Sequence, residues 1–305
     1  MKKTLILLIL LSAGLYGALP EAASVDVISP ENDGSFYYPK FSPDGESLLL
    51  TRERFTGLWE YNLKTQTLVQ ISHETGSGYE PLYSPDGTRI YYLRDTYENH
   101  RRYRSLMVYN RLSKGRDYLI ENERLLTHPL LATEEGVVTR TGTKILVVDR
   151  DRKAENPGTR LVHTFENHLT LYENGKEKRL TPSGEGNYVW ASLSPSGDQI
   201  LYNKAGEGTF ICDLEGNIQV ELGYANAPVW SPNGRWIAYM KDYDDGHFIT
   251  ESEIWLASAD GKESVQLTKT DDVIEMYPRW SPDNKALTYH DLSGRIYIMK
   301  LHVTE

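Results

Sequence analysis

The chain is predicted to fold as an all-β protein, a six-bladed β-propeller of four-stranded antiparallel blades, and three features carry that expectation. A turn pentad recurs along the chain, a second hairpin follows most copies of it, and an apolar N-terminal strand is placed to complete the last blade.

The pentad first appears as Phe41-Ser42-Pro43-Asp44-Gly45 and returns at Tyr83 to Gly87, Leu193 to Gly197, Trp230 to Gly234 and Trp280 to Asn284, with a decayed copy at Leu131 to Gly136. Its chemistry is that of a turn. Pro presets φ, Asp or Asn tolerates the next position, and Gly or Asn takes the left-handed conformation that closes the turn. Another Pro lies three residues before the Ser position in most copies (Pro39, Pro81, Pro129, Pro228, Pro278), which suits a strand that donates few ladder bonds. Apolar strands follow at 47–52, 89–93, 199–202, 236–240 and 286–290, so each copy reads as a hairpin.

The second hairpin is clearest at 254–268, where an alternating strand meets Asp260-Gly261 and a partner strand. Related segments are 58–72, 106–120, 168–181 and 209–222. The sixth unit runs out of chain after 295–301, and Val25 to Ile28 is expected to supply its fourth strand, since a ring tolerates no orphan edge. The stretch 125–167 repeats least cleanly, with 149–167 read as an insertion in the third blade; a five-bladed or irregular ring is the structural alternative.

These pentads, with the preceding Pro and the following Asp-Gly and Leu-Thr elements, resemble the Pro-Asp propeller repeat of TolB-like proteins over nearly all of the mature chain. The resemblance implies a propeller fold. The motif residues are turn-formers, so it implies no particular activity.

Residues 1–24 read as a secretory signal peptide: Lys2 and Lys3, an apolar run over 4–11, then small residues, with the cut at Gly17 or Ser24. The propeller then occupies 25–305, and the mature protein is expected in the periplasm or secreted, monomeric and not inserted in the membrane. The one cysteine, Cys212, excludes an internal disulfide, so stability must come from the core. The net charge of −10 argues against nucleic acid or anionic lipid as a partner.

Function is expected on the face that carries the connections between second and third strands, because those stretches vary: 52–57, 95–104, 149–167 and 241–253. In the second of them Arg101, Arg102 and Arg104 suit a carboxylate or an acidic patch. In the fourth, 242–247 offers oxygen ligands without completing an EF-hand loop, so no metal is expected. The channel mouth on that face should be ringed by the residues before each inner Pro: Tyr38, Glu80, His128, Trp190, Ala227 and Tyr277, with Tyr37, Tyr79, Tyr188, Tyr224 and Glu275 close by.

No Gly-x-Ser-x-Gly elbow is present. Some pectin-degrading propellers of related repeat type use clustered His ligands, but of the eight His here only His128 falls at a channel position, and no cofactor is expected. Glu80 and Glu275 are the pair of carboxyls that a glycosidase reading would use. The expectation is therefore a non-catalytic propeller that binds a protein, peptide or envelope component through its loop-bearing face and channel mouth. The alternative is a carbohydrate-active or other small-molecule enzyme with its site in the channel.

Overall fold

The computed structural model describes residues 19–28, 34–155 and 157–303; the leader expected over the first residues lies mostly outside them. The strands form seven antiparallel sheets, each a blade, so the ring has seven blades and not six. The first blade comprises Tyr37–Phe41, Ser47–Thr51, Thr56–Asn62 and Thr67–Thr75, and the second Leu82–Tyr83, Arg89–Glu98, Arg101–Asn110 and Arg116–Glu123. The third is Leu131–Thr133, Gly136–Thr141, Lys144–Asp149 and Arg152–Glu155; the fourth has Leu161–Phe165, His168–Glu173 and Lys176–Leu180. The fifth and sixth run from Tyr188–Leu193 to Ile218–Gly223 and from Asn226–Trp230 to Ser264–Gln266.

The extra blade is hidden where the pentad is absent. The supposed insertion at 149–167 supplies the outer strand of the third blade and the inner strand of the fourth, and 168–181 completes the fourth blade rather than the third. Its first hairpin turns on Glu166 (φ 48°) and Asn167 (φ 64°), a two-residue turn with both φ positive. That turn needs no Ser-Pro-Asp-Gly, so counting pentads undercounts blades.

The seventh blade takes Glu275–Trp280, Ala286–Asp291 and Ile296–His302, and Glu21–Val27 adds antiparallel as its fourth strand, with Val25 opposite Met299. The first and last strands thus lock the ring.

Burial is organised by junction. Seven hydrophobic clusters each join neighbouring blades, for example Leu48, Leu50 and Ile298 between first and seventh, and Val138, Val147 and Leu161 between third and fourth. Burying these apolar faces against one another is the main drive for closure.

The pentads form a second ring, at the tight-hairpin face. Ser42 Oγ accepts from Ser47 N (2.9 Å) and donates to Asp44 Oδ1 (2.5 Å), while Asp44 accepts from Glu46 N (2.9 Å). Ser84/Asp86, Ser231/Asn233 and Ser281/Asp283 repeat the arrangement. Three of the Pro residues also pack toward the Gly of the next pentad: a methyl on Gly45 would lie 3.8 Å from Pro282, one on Gly87 3.7 Å from Pro43 and one on Gly234 3.5 Å from Pro195.

On the opposite face two hairpins project. The segment 95–104 is paired strand rather than loop, with Asp95 opposite Arg104 and the turn at Asn99 and His100, both at positive φ. Most of 241–253 likewise continues the strands Trp236–Asp244 and Ile249–Ser258.

Candidate functional site at the channel mouth

The residue before the inner Pro, or before Ala191 in the fifth blade, sits in an unusual backbone conformation in five blades: Tyr38 (φ 52°), Glu80 (46°), Trp190 (51°), Ala227 (45°) and Tyr277 (55°). In four of those strands the pairing register shifts across the same position. A bulge with its extra residue at positive φ bends the strand and re-aims that side chain. A left-handed conformation costs an L-residue roughly 1–2 kcal/mol, and strain of this kind persists only where surrounding structure imposes it.

The re-aimed rings meet. Tyr277 stacks on His290 (5.6 Å, 16°) and lies 4.8 Å from Tyr38; Tyr38 lies 4.7 Å from Phe55; Phe55 meets Tyr79 edge-on at 5.0 Å, and Tyr79 meets His128 at 5.4 Å. Tyr37 adds an edge contact to His290 at 5.3 Å. The result is a continuous arc of aromatic rings from the seventh blade through the first and second to the third. Burial lowers the pKa of His290 to about 4, so its ring is neutral; Nδ1 lies 3.0 Å from Asp291 O, and Nε2 has no partner among the described residues.

Three charges sit at the base of the arc. Glu80 lies 3.6 Å from Arg279, and Lys40 Nζ donates to Pro81 O at 3.0 Å. Enclosure by protein would raise the Glu80 pKa, but Arg279, Lys40 and His128 outweigh it and hold the carboxyl below its ordinary value. Burial lowers Lys40 to about 8, opposed by Glu80 and reinforced by Arg279. Two cations therefore face one carboxylate. Beside them opens a cavity of about 440 Å³ lined by residues of six blades, among them Glu80, His128, His163, Trp190, Ser192 and Arg279. This is the central channel.

The structure thus brings Glu80, His128 and Trp190 to the channel wall, and Tyr38 and Tyr277 to a small adjoining pocket that shares Glu80 and Arg279 with it. Glu275 is not there. It is 2 % exposed, accepts from Thr270 Oγ1 (3.0 Å) and faces Glu253 in the wall between sixth and seventh blades; the register shift between Met276 and Arg279 re-aims Tyr277 but leaves Glu275, two residues earlier, in regular pairing opposite Asp291. Burial, then Glu253, raise its pKa to about 7. Tyr188 is likewise buried, its hydroxyl donating to Gly184 O (2.6 Å). Arg104 is committed to the fold, 3.4 Å from Asp95 and donating to Leu126 O (3.2 Å); Arg101 is exposed on the projecting hairpin, and Arg102, half-exposed, lies 3.8 Å from Asp95. Sequence reasoning missed Lys40 and Arg279, although each directly follows an inner Pro, and reached Phe55 only as part of the variable stretch 52–57. Among the described residues no group of three or more His, Cys, Asp or Glu is arranged to hold a metal ion.

No protein-family model matches the sequence, and no curated protein does. Solved structures of similar shape include the Cps50 (Swd1) β-propeller domain of Myceliophteria thermophila, with 13 % identity and TM-score 0.63, covering 92 % of this chain and 100 % of that one. An oligogalacturonate lyase in complex with manganese aligns at 14 % identity and TM-score 0.53, over 92 % and 95 % of the two chains. TolB from Acinetobacter baumannii aligns at 18 % identity over 77 % of this chain and 55 % of that one, with a TM-score of 0.48, too loose to carry an argument. These likenesses concern the β-propeller fold alone.

Proposed function

We propose that this is an exported, non-catalytic propeller that receives a segment of a protein or peptide of the cell envelope at its channel mouth. The observation that carries this reading is the aromatic arc with Lys40, Arg279 and Glu80 at its base. Rings held by a rigid ring of blades offer apolar contact without ordering cost on binding. The excess of positive charge favours a segment that carries a carboxylate beside an apolar or aromatic side chain. Export rests on the N-terminal leader pattern; a cut after Gly17 leaves the strand Glu21–Val27 whole, and N-terminal sequencing of the periplasmic form checks it.

The test is retention of a defined protein from a native envelope extract by wild type, compared with Arg279→Gln and with the double variant Tyr38→Ala/Tyr277→Ala. Loss in variants that still unfold cooperatively supports the reading; equal retention by all three refutes it. A second reading, a small-molecule enzyme, draws on Glu80, His128 and His163 lining one cavity. Turnover that disappears in Glu80→Gln would favour it.

A further inference from the structure

A second cleft of about 360 Å³ lies between the fifth and sixth blades, on the face of the projecting hairpins, sharing Val189 and Trp190 with the channel. Trp190 forms one wall, 38 % exposed, and Tyr224, 50 % exposed, another. Tyr224 is buttressed from outside by Tyr243, stacked at 6.3 Å and 28°. The connection Ala205 to Gly208 contributes small residues to the lining, so a ligand approaches the backbone there; Gly206 (φ 81°) has open space where a side chain would begin.

The polar groups are few and placed. Asn226 Nδ2 donates to Asp242 Oδ1 (2.7 Å), and Asn203 Nδ2 donates to Thr209 Oγ1 (2.9 Å), which fixes both amides. Glu207, half-exposed, holds Lys204 Nζ through Oε1 at 2.7 Å, and Lys204 also donates to Ser183 O. The lysine is thereby spent on the fold, and Asn203 is buried with its amide directed at Thr209 and Asn226; the cleft presents the Glu207 carboxylate, the Asn226 amide and the Tyr224 hydroxyl, with Trp190 and Tyr224 as its exposed rings.

We infer that this cleft binds a neutral saccharide of one or two pyranose rings. The C–H face of a sugar is apolar and packs flat on an indole or phenol ring, while its equatorial hydroxyls need hydrogen-bond partners that both donate and accept; amide, carboxylate and phenol groups provide them. The volume lies at the small end of ligand pockets, which suits a mono- or disaccharide. With its lysine already paired and Glu207 present, the cleft disfavours uronic acids. Trp190 lines both the cleft and the channel, whereas Tyr224 and Glu207 line the cleft and not the channel, so Tyr224 is the residue that distinguishes this inference from the channel-mouth reading.

The experiment is isothermal titration of the purified protein with cellobiose, N,N′-diacetylchitobiose and digalacturonate, each also run on Tyr224→Ala, Trp190→Ala and Tyr38→Ala. The expected result is binding of a neutral disaccharide with Kd of about 1 mM or below, weakened about tenfold or more by Tyr224→Ala and by Trp190→Ala, and unchanged by Tyr38→Ala. Absence of binding by both neutral sugars overturns the inference, as does tighter binding of digalacturonate. Binding that is lost only in Tyr38→Ala would place the sugar in the channel mouth and equally overturn it. Thermal unfolding of each variant separates lost binding from lost fold.

Discussion

The regular blades and the two degenerate ones achieve the same architecture by different local chemistry. Blades one, two, five, six and seven carry a Ser-Pro turn whose side chains satisfy the hairpin backbone and a positive φ at the residue before Pro or its equivalent, which bulges the inner strand in all of them but the second. Blades three and four have neither: one turns at Glu134-Glu135-Gly136 with only Thr133 Oγ1 donating to Gly136 O (3.1 Å), the other on Glu166 and Asn167. What all seven share is the apolar junction with each neighbour. The pentad reports how a hairpin turns; the junction makes the blade.

That distinction is broken most severely at the junctions. Trp236, fully buried in a regular blade, should cost about 3–5 kcal/mol when changed to Ala. Leu161→Ala, at the junction of the three-stranded fourth blade, should cost about 2–3 kcal/mol. Urea titration reads both, and a near-zero cost for Leu161→Ala would show that the fourth blade is not part of the cooperative ring.

The turns come next. Asp86 accepts from Ser84 Oγ, Thr88 N and Thr88 Oγ1, and these bonds depress its pKa to about 2. Asp86→Ala should cost about 1 kcal/mol, and Glu134→Ala in the third blade's turn less than about 0.5 kcal/mol. Because the depressed carboxyl favours the folded state above its unfolded pKa, the Asp86 contribution is present at neutral pH and lost as pH falls through about 2.

The wall between blades six and seven offers the opposite sign. Glu275 titrates near 7 when folded against 4.5 ordinarily, so the folded state holds a proton that the unfolded chain releases. Its contribution is complete below about pH 4.5 and is lost as pH rises through 7. In Glu275→Gln that slope of stability with pH should vanish, as thermal melts across the range would record.

A further pair of substitutions probes the bulge itself. Ala227→Gly relieves a left-handed alanine and should stabilise by about 0.5–1 kcal/mol, whereas Ala132→Gly, in an unbulged inner strand, should destabilise by a similar amount. Destabilisation by both would contradict the account of the bulge.

Much of this was legible in advance for a physical reason: turn residues are chosen by local backbone needs, so Ser42 to Gly45 and its copies betray hairpins without any tertiary information. The terminal strand around Val25 was legible because an incomplete last unit demands a partner. The fourth blade was not, because a turn on Glu166 and Asn167 leaves almost no signature. Tyr38, Glu80, Trp190 and Tyr277 could be placed from their spacing to the inner Pro. Glu275 was misplaced because it shares strand parity with Tyr277 and only the bulge, which sequence does not announce, separates the two; Lys40 and Arg279 were passed over because a charge on an inner strand declares itself only when the blades are assembled.

The most direct test of the central claim is photo-cross-linking in the native envelope, with benzoylphenylalanine in place of Phe55 in the arc or, as control, in place of Thr65 on the tight-hairpin face. The account predicts one defined polypeptide linked from position 55 and none from position 65. The same products from both positions, or no polypeptide from position 55, would contradict it.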